Sequence, residues 1–572
     1  MNSFAGNRPG AARAIPFLVG FIAAAGQIVL LREVIVLFNG NELSLGLLLA
    51  AWLLWTATGS GLTGHLIRNR TSLRVATASL ACLCGLSLPF SVIALRLARI
   101  WLQTVPGELI GPMQMALIAF VCVSVFCILC GSLFALASQR MRDQSALLPQ
   151  DASSLAYLFE TTGSALSGVV TGFLLIPFLS CMQIALMVAM LGVCAGTGVY
   201  CDLRPRPLVI TVATGALLTV LLLRYFAPRV ESYTMARLWP GFDPIASTDS
   251  TYGRLTVIGA GAMRSIYENG SILANIPDPA AAEESVHYAL LEHAAPRQVL
   301  LLGGGFNGSI SEALKHPTLE RLDYVEIDPA LIDLYRRYFP HESAAAFSDS
   351  RVHVHETDGR LFLKATQSRF DVIIVSISEP TNADLNRFFT VEFFRSVRDH
   401  LAPNGLLALQ LSSSEDVISP ERAEFFRCLD RTMMQVFPSI AVIPGGTLHV
   451  FGAVNPSVLT EDPQLLIARL QSRNLQTAYV REYFLPFRMM PDRMAQIHEL
   501  MQPRPATRIN RDFQPAAYYF STILASTQFN PREGQLLQSA SKIRFSTILA
   551  VILLPSALLV LVFSFTSQRL RT

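Results

Sequence analysis

Seven runs of predominantly apolar residues, each near the about 20 that an α-helix needs to cross a bilayer, fill the first part of the chain. They are Ile15–Leu37, Leu43–Leu66, Leu73–Leu95, Met113–Ser138, Leu155–Leu179, Met182–Tyr200 and Leu208–Phe226, and an eighth runs from Ser546 to Phe565. Hydrocarbon offers no partner to free backbone N–H and C=O groups, so such runs fold as helices and pack as a bundle. With 51% apolar and only 15% charged residues, the chain departs from the soluble average in the same direction. Arg8 and Arg13 precede the first run as they would in a signal peptide, but the stretch exceeds an ordinary h-region, which predicts an uncleaved anchor.

Arginine pairs mark alternate loops: Arg8 and Arg13, Arg68 and Arg70, Arg140 and Arg142, Arg204 and Arg206, and Arg569 and Arg571. They fall on one side of the membrane. Phe38–Glu42 and the turn at Ser180 fall on the other and carry neither Lys nor Arg, although Arg96, Arg99, Arg224, Arg229, Lys542 and Arg544 dilute the contrast. The positive-inside rule then predicts a multi-pass protein of a bacterial-type inner membrane, with both termini in the cytoplasm and the soluble part outside. Arg32 and Glu33 of the first run and Glu160 of the fifth are costly in hydrocarbon and need partners or water. Two readings stand for them, a polar pathway through the bundle and a packing pair near a helix end.

A net charge of +3 and the lack of a basic stripe interleaved with aromatics exclude nucleic acid as a partner. Of nine cysteines, all but Cys428 lie in or beside apolar runs. Cys127 and Cys130 have x-x spacing, but inside a lipid-like run they read as packing residues. No cysteine or histidine pattern with metal-ligand spacing appears, His353 and His355 on one strand included, and no metal is expected.

Residues 227–545 have ordinary soluble composition. They open with alternating stretches, Leu255–Ile258 and Ser265–Tyr267, followed by Asn269-Gly270, a hairpin turn signal. A buried-strand run, Arg297–Leu302, leads into Gly303-Gly304-Gly305-Phe306-Asn307-Gly308 and a helical pattern. That order lets backbone approach a ligand closely. The next strand ends at Glu326-Ile327-Asp328, where a carboxylate can accept ribose hydroxyls. A third, Val352–His355, ends at Thr357-Asp358-Gly359, and a fourth, Phe370–Val375, ends at Ser376-Ile377-Ser378-Glu379-Pro380. Successive strand ends bearing polar residues point to a nucleoside or adenosyl site in an open α/β sheet.

On these residues the segment from about Tyr252 to Gln410 resembles the polyamine aminopropyltransferases, and the whole chain resembles their membrane-fused branch. The matching elements are Gly303–Gly308, Glu326, Asp358-Gly359, Ser376–Pro380 and Phe389-Thr390-Val391-Glu392-Phe393. The resemblance implies a Rossmann-like, class I methyltransferase-type sheet of seven strands with a small N-terminal β subdomain. It also implies decarboxylated S-adenosylmethionine as aminopropyl donor and, by habit of the family, a homo-oligomer. The organisation expected is a membrane domain over 1–230, the β subdomain over 231–290, the Rossmann-like domain over 291–540 and a transmembrane helix within 541–572.

The resemblance carries site residues with it. Gly303, Gly304, Gly305, Asn307 and Gly308 would shape the donor loop, Glu326 would hold ribose, and Asp358 with Gly359 would meet adenine. Tyr252, His287 and Ser378 would line the acceptor side, and Ser376 and Glu379 stand at the reacting end. Departures are as specific as matches. The family's loop aspartate is Phe306, the first aspartate of its D-x-x-D-P segment is Ser376, its Tyr-His-Glu is replaced by His287-Tyr288-Ala289, and the glutamine after its early tyrosine is Gly253. A serine hydroxyl is no general base near neutral pH, which leaves Glu379 as the remaining acid. Asn510-Arg511-Asp512, ahead of Tyr518 and Tyr519, reads as solvated loop. The function expected is therefore aminopropyl transfer to a small amine by a bilayer-anchored enzyme. Two alternatives stay open: methyl transfer from S-adenosylmethionine, and a catalytically silent domain that binds a polyamine or nucleoside and biases the bundle.

Overall fold

The computed structural model describes residues 9–40, 42–66, 73–104, 110–144, 149–201, 205–529 and Leu553. The eighth apolar run falls outside these apart from Leu553. Eight helices come first: α1 (Pro9–Leu37), α2 (Glu42–Leu66), α3 (Leu73–Trp101), α4 (Pro112–Gln144), α5 (Pro149–Val169), α6 (Cys181–Tyr200), α7 (Pro205–Leu221) and α8 (Ala227–Leu238). A π-turn, Leu222–Phe226, carries α7 into α8 without a break. Among the described residues, seven helices are long and apolar enough to cross a membrane. Helices α2 and α4 touch backbone to backbone, because Gly59 and Gly131 each leave no room for a Cβ against the other helix, at Ile128 and Thr56. Small residues at such crossings are how apolar helices gain contact when burial alone provides no drive. Cys84, Cys127 and Cys130 lie buried in this bundle.

Four antiparallel strands follow, β1 (Asp243–Asp249), β2 (Arg254–Ala260), β3 (Met263–Glu268) and β4 (Ser271–Ile276), paired in chain order. Asn269 and Gly270 turn β3 into β4 with φ of +49° and +80°, the pair of positive values that a two-residue hairpin of matching twist requires. Helix α9 (Pro279–Glu292) leads to the main sheet, β5 (Gln298–Leu302), α10 (Ser309–Ala313), β6 (Arg321–Glu326), α11 (Pro329–Tyr338), α12 (Pro340–Phe347), β7 (Val352–Glu356), α13 (Gly359–Ala365), β8 (Phe370–Val375), α14 (Ala383–Asn386), α15 (Val391–His400) and β9 (Leu401–Ser412). Then come α16 (Pro420–Met433), β10 (Ser439–Ile443), β11 (Thr447–Ala453), α17 (Pro463–Ser472), α18 (Phe484–Arg488), α19 (Pro491–Met501) and α20 (Ala516–Phe529).

The main sheet has seven strands in the order β10-β11-β9-β8-β5-β6-β7. Strands β5 to β9 run parallel, and β11 and β10 add antiparallel at one edge. Continuous apolar runs such as Val299–Leu302 and Val372–Val375 are buried almost completely, as strands covered on both faces must be. The fold is thus the methyltransferase-type sheet with an added β subdomain that the sequence implied. The chain order reverses between β5 and β8, and in open α/β sheets that crevice at the carboxyl ends is where ligands bind.

The bundle and the α/β unit are riveted together. Glu33 of α1 accepts from Arg96 of α3 at 2.6 Å and from Arg254 of β2 at 3.0 Å, all three buried. Arg254 also pairs with Asp249 at 2.8 Å. Burial pushes Asp249 up, but the Arg254 guanidinium outweighs it and holds the carboxyl below its usual range. Arg32 donates to the carbonyl of Ser250 at 2.7 Å, and Asn39, in the turn after α1, donates to Ser271 Oγ at 2.8 Å. The polar-pathway reading of Arg32 and Glu33 is therefore corrected. Both spend their charge at the junction, because α1 ends where the β subdomain docks. Glu160, half-buried on α5, accepts from Ser164 one turn on at 3.3 Å.

Candidate functional site

The site is built where β5 and β8 part. After Leu302 the chain enters Gly303, Gly304 and Gly305, with φ of +68°, +67° and +83°, and reaches Gly308 at +103°. Side chains would be strained here, and space forbids them too. A Cβ on Gly303 would lie 2.8 Å from Ile377 Cγ1, and one on Gly304 would overlap the Ser376 hydroxyl. The loop after β5 and the loop after β8 therefore lie in contact, and Ser376 faces glycine backbone. Asn307 turns inward on its own loop, accepting from the Ser309 N–H at 3.2 Å. Phe306 does not face the crevice. Its ring is buried edge-on against Tyr324 and Tyr335, at 5.9 and 5.1 Å between centroids.

Glu326 ends β6 beside this loop. Its Oε1 accepts from the Asp328 N–H at 3.1 Å, and Tyr324 offers its hydroxyl to Oε2 at 3.3 Å and to the Gly304 carbonyl at 2.8 Å. One tyrosine thus ties Glu326 to the glycine loop. Burial pushes Glu326 up to about 7, with the charge of Glu268 adding to it against two backbone N–H groups. Burial also raises Asp328, which the Ser250 hydroxyl beside it partly offsets. Ser250 belongs to the turn after β1, where its Oγ accepts the N–H groups of Tyr252 and Gly253. That leaves the Tyr252 ring exposed.

Asp358 caps α13 through the Leu361 N–H at 2.9 Å and ion-pairs with Arg387 through its other oxygen. Gly359 follows, with space for a Cβ only at 3.2 Å from Phe388. Glu379 is held from two sides, by the Ser412 N–H at 2.7 Å and by Arg422 at 2.6 Å. This corrects the expectation of a carboxylate left to face the acceptor, since both of its oxygens are taken by protein donors. Ser378 beside it is exposed.

His287 is a second correction. It is wholly buried, with Nδ1 at 2.9 Å from His316 Nε2 and Nε2 at 3.2 Å from Glu312. Burial, the neighbouring His287 and Arg473 together push His316 down to about 2. These rings anchor α9 to α10 instead of meeting a substrate. His355 likewise pairs with Asp323 at 2.7 Å. The Asn510-Arg511-Asp512 segment is the third correction. Asn510 is buried, donates to the Phe389 carbonyl at 2.9 Å and accepts from the Ala517 N–H. Asp512 takes both guanidinium nitrogens of Arg360, at 3.0 and 2.9 Å, and the Thr390 hydroxyl at 2.7 Å. The segment clamps α13 to the start of α15. Sequence reading also passed over Arg387, Arg422 and Glu268. Their signal was pairing at long range, except for Glu268, which sits directly before the recognised Asn-Gly turn.

A spermine/spermidine synthase domain matches residues 279–446. The polyamine aminopropyltransferase of Oceanobacillus iheyensis is 29% identical over 259 residues, covering 44% of this chain and 50% of that protein. The polyamine aminopropyltransferase of Pyrobaculum neutrophilum is 31% identical over 210 residues, covering 34% of this chain and 70% of that protein. The crystal structure of spermidine synthase from Thermotoga maritima aligns with 22% identity over 45% of this chain and 87% of that one, with a TM-score of 0.38. The chain spans half the length of the Oceanobacillus relative.

Proposed function

This chain belongs to the spermine/spermidine synthase family, and from that premise we propose that it transfers an aminopropyl group from decarboxylated S-adenosylmethionine to an amine acceptor while anchored in a bilayer. The observation that carries the reading is the glycine loop at the switch point of the sheet, tied through Tyr324 to Glu326. That arrangement suits an adenosyl group, with ribose on the acid and the sulfonium toward the space between the β5 and β8 loops. In the reaction the amine nitrogen forms a bond to the methylene beside sulfur. The C–S electron pair passes to sulfur, methylthioadenosine leaves neutral, and the nitrogen loses a proton. Alignment of amine and methylene is most of the task, because the cationic sulfur already makes a good leaving group. With Ser376 at the base position and Glu379 engaged by Arg422, water takes the proton, and the amine reacts from its neutral form.

A second reading, binding without turnover, is favoured by the same pairing of Glu379. The test is direct. The full-length protein in detergent is titrated calorimetrically with decarboxylated S-adenosylmethionine, S-adenosylmethionine and methylthioadenosine, then incubated with diamines while methylthioadenosine release is followed. Release dependent on a diamine supports transfer. Binding without release supports the silent domain, and a methylated acceptor supports methyl transfer.

The seven apolar helices support placement in a bacterial-type cell membrane. Helices α1 and α3 end toward the α/β unit, as Asn39 and Arg96 show, while the Arg140 and Arg142 end of α4 lies at the other end of the bundle. By the positive-inside rule the α/β unit is then outside. A topology reporter fused after Phe242 tests this, and a cytoplasmic signal would reverse it.

A further inference from the structure

Arg96 and Arg99 sit at the end of an apolar run, on the side of the bundle where the positive-inside rule does not place arginine. The fold brings both to one place. Between α1, α3, α8 and β2 lies a cleft whose charged lining, among the described residues, is Glu33, Arg96, Arg99 and Arg254. Each of the four is at most 6% exposed. Glu33 is shared by Arg96 and Arg254, while Arg99 donates to the Leu37 carbonyl at 2.8 Å and to Asn39 Oδ1 at 3.0 Å. Three guanidinium groups thus stand with one carboxylate around the cleft. Its other walls are largely apolar, with Val36, Leu95, Leu238 and Trp239 among them.

The level of the cleft decides what can enter it. The spans Arg13–Leu37, Leu73–Trp101 and Val209–Leu238 all end at its walls, which puts it in the headgroup layer, about 5–7 Å deep on each side of the hydrocarbon. The cleft encloses about 50 Å³ and reaches about 530 Å³ with its open mouth. That is room for a phosphate and part of the chains it carries. Guanidinium groups bind phosphate through paired, charge-assisted hydrogen bonds, and basic pockets between spanning helices are where anionic headgroups lodge. We propose that this junction cleft binds the phosphate headgroup of an anionic phospholipid, with an acyl chain along Val36, Leu95 and Leu238. Because Arg254 belongs to β2 and Arg96 and Arg99 to α3, the bound lipid would join the β subdomain to the bundle.

Thermal unfolding midpoints test this on full-length protein stripped of lipid in a nonionic detergent, since a ligand that binds only the folded state raises the midpoint. Dioctanoyl phosphatidylglycerol should raise it saturably, and dioctanoyl phosphatidylcholine or inorganic phosphate at the same concentration should not. In Arg99→Gln the phosphatidylglycerol needed for half the shift should rise about tenfold or more, and Arg99→Lys should recover part of that loss. Leu238→Trp fills the cleft and leaves every charge in place, so it separates lost binding from any damage that Arg99→Gln does to the junction. It should raise the half-shift concentration likewise. No shift from phosphatidylglycerol, or an equal one from phosphatidylcholine or from phosphate alone, overturns the anionic lipid. A half-shift concentration unchanged in either Arg99→Gln or Leu238→Trp overturns the cleft as its site.

Discussion

Glu33 of the first helix and Arg254 of the second strand meet at 3.0 Å across 221 positions of sequence. With Arg96 completing the cluster, the contact makes the membrane bundle and the α/β unit one structure. Such a cluster is stable only as a whole, because removing one partner strands a buried charge at a cost of about 3–5 kcal/mol. Glu33→Gln should therefore lower the thermal unfolding midpoint in detergent and open the segment between α8 and β1 to protease. An unchanged midpoint with unchanged cleavage would show that apolar packing alone holds the junction.

Ser376 makes a complementary prediction. Its hydroxyl stands against Gly304 in the crevice, at the position where the family's pattern has an aspartate. Positioned general bases contribute about 10²–10⁴ in rate. Ser376→Asp should raise turnover at pH 7 by about tenfold or more, while the wild-type rate should climb steadily with pH as the amine acceptor becomes neutral. A pH–rate profile of both proteins decides this. A wild-type profile that is flat from pH 7 to 9 would mean that a base already operates.

What the sequence made legible were features carried by neighbours in the chain. Apolar runs, the glycine loop, the Asn269-Gly270 turn and acids at strand ends are all local, and each lies where its pattern implied. The site's partners were not legible for the converse reason. Glu379 meets Arg422, Asp358 meets Arg387 and Asp512 meets Arg360, and nothing in a single sequence says which arginine will neutralise which acid. The same limit hid Asn510, whose amide is buried only because α15 and α20 converge on it.

Gly304 tests the loop independently of any chemistry. Alanine there would have to adopt a φ of +67° and overlap the Ser376 hydroxyl. The left-handed conformation alone costs about 1–2 kcal/mol. Gly304→Ala should keep the sheet folded, since the loop lies beyond the carboxyl end of β5, and should weaken methylthioadenosine binding about tenfold or more. Calorimetry reads the affinity and circular dichroism the fold. Retained affinity would move the adenosyl site away from this loop.

Glu292, at the end of α9, carries the clearest pH dependence outside the site. It is wholly buried, its Oε2 accepts the Thr460 N–H at 2.9 Å, and its Oε1 has no partner. Burial pushes it up to about 8, against the Thr460 N–H and the Arg469 guanidinium, which is itself spent on the carbonyls of Leu291 and Glu292. A carboxyl raised on folding binds its proton more tightly in the folded state. Its contribution is full below the unfolded value and is lost as pH rises through about 8. Glu292→Gln, which keeps the acceptor and cannot ionise, should match wild type near pH 4. It should become more stable by on the order of 2 kcal/mol above pH 8. Unfolding midpoints of both proteins across that range check the sign, and a gap that narrows as pH rises would mean that Glu292 is ionised in the folded state and paired with Arg469.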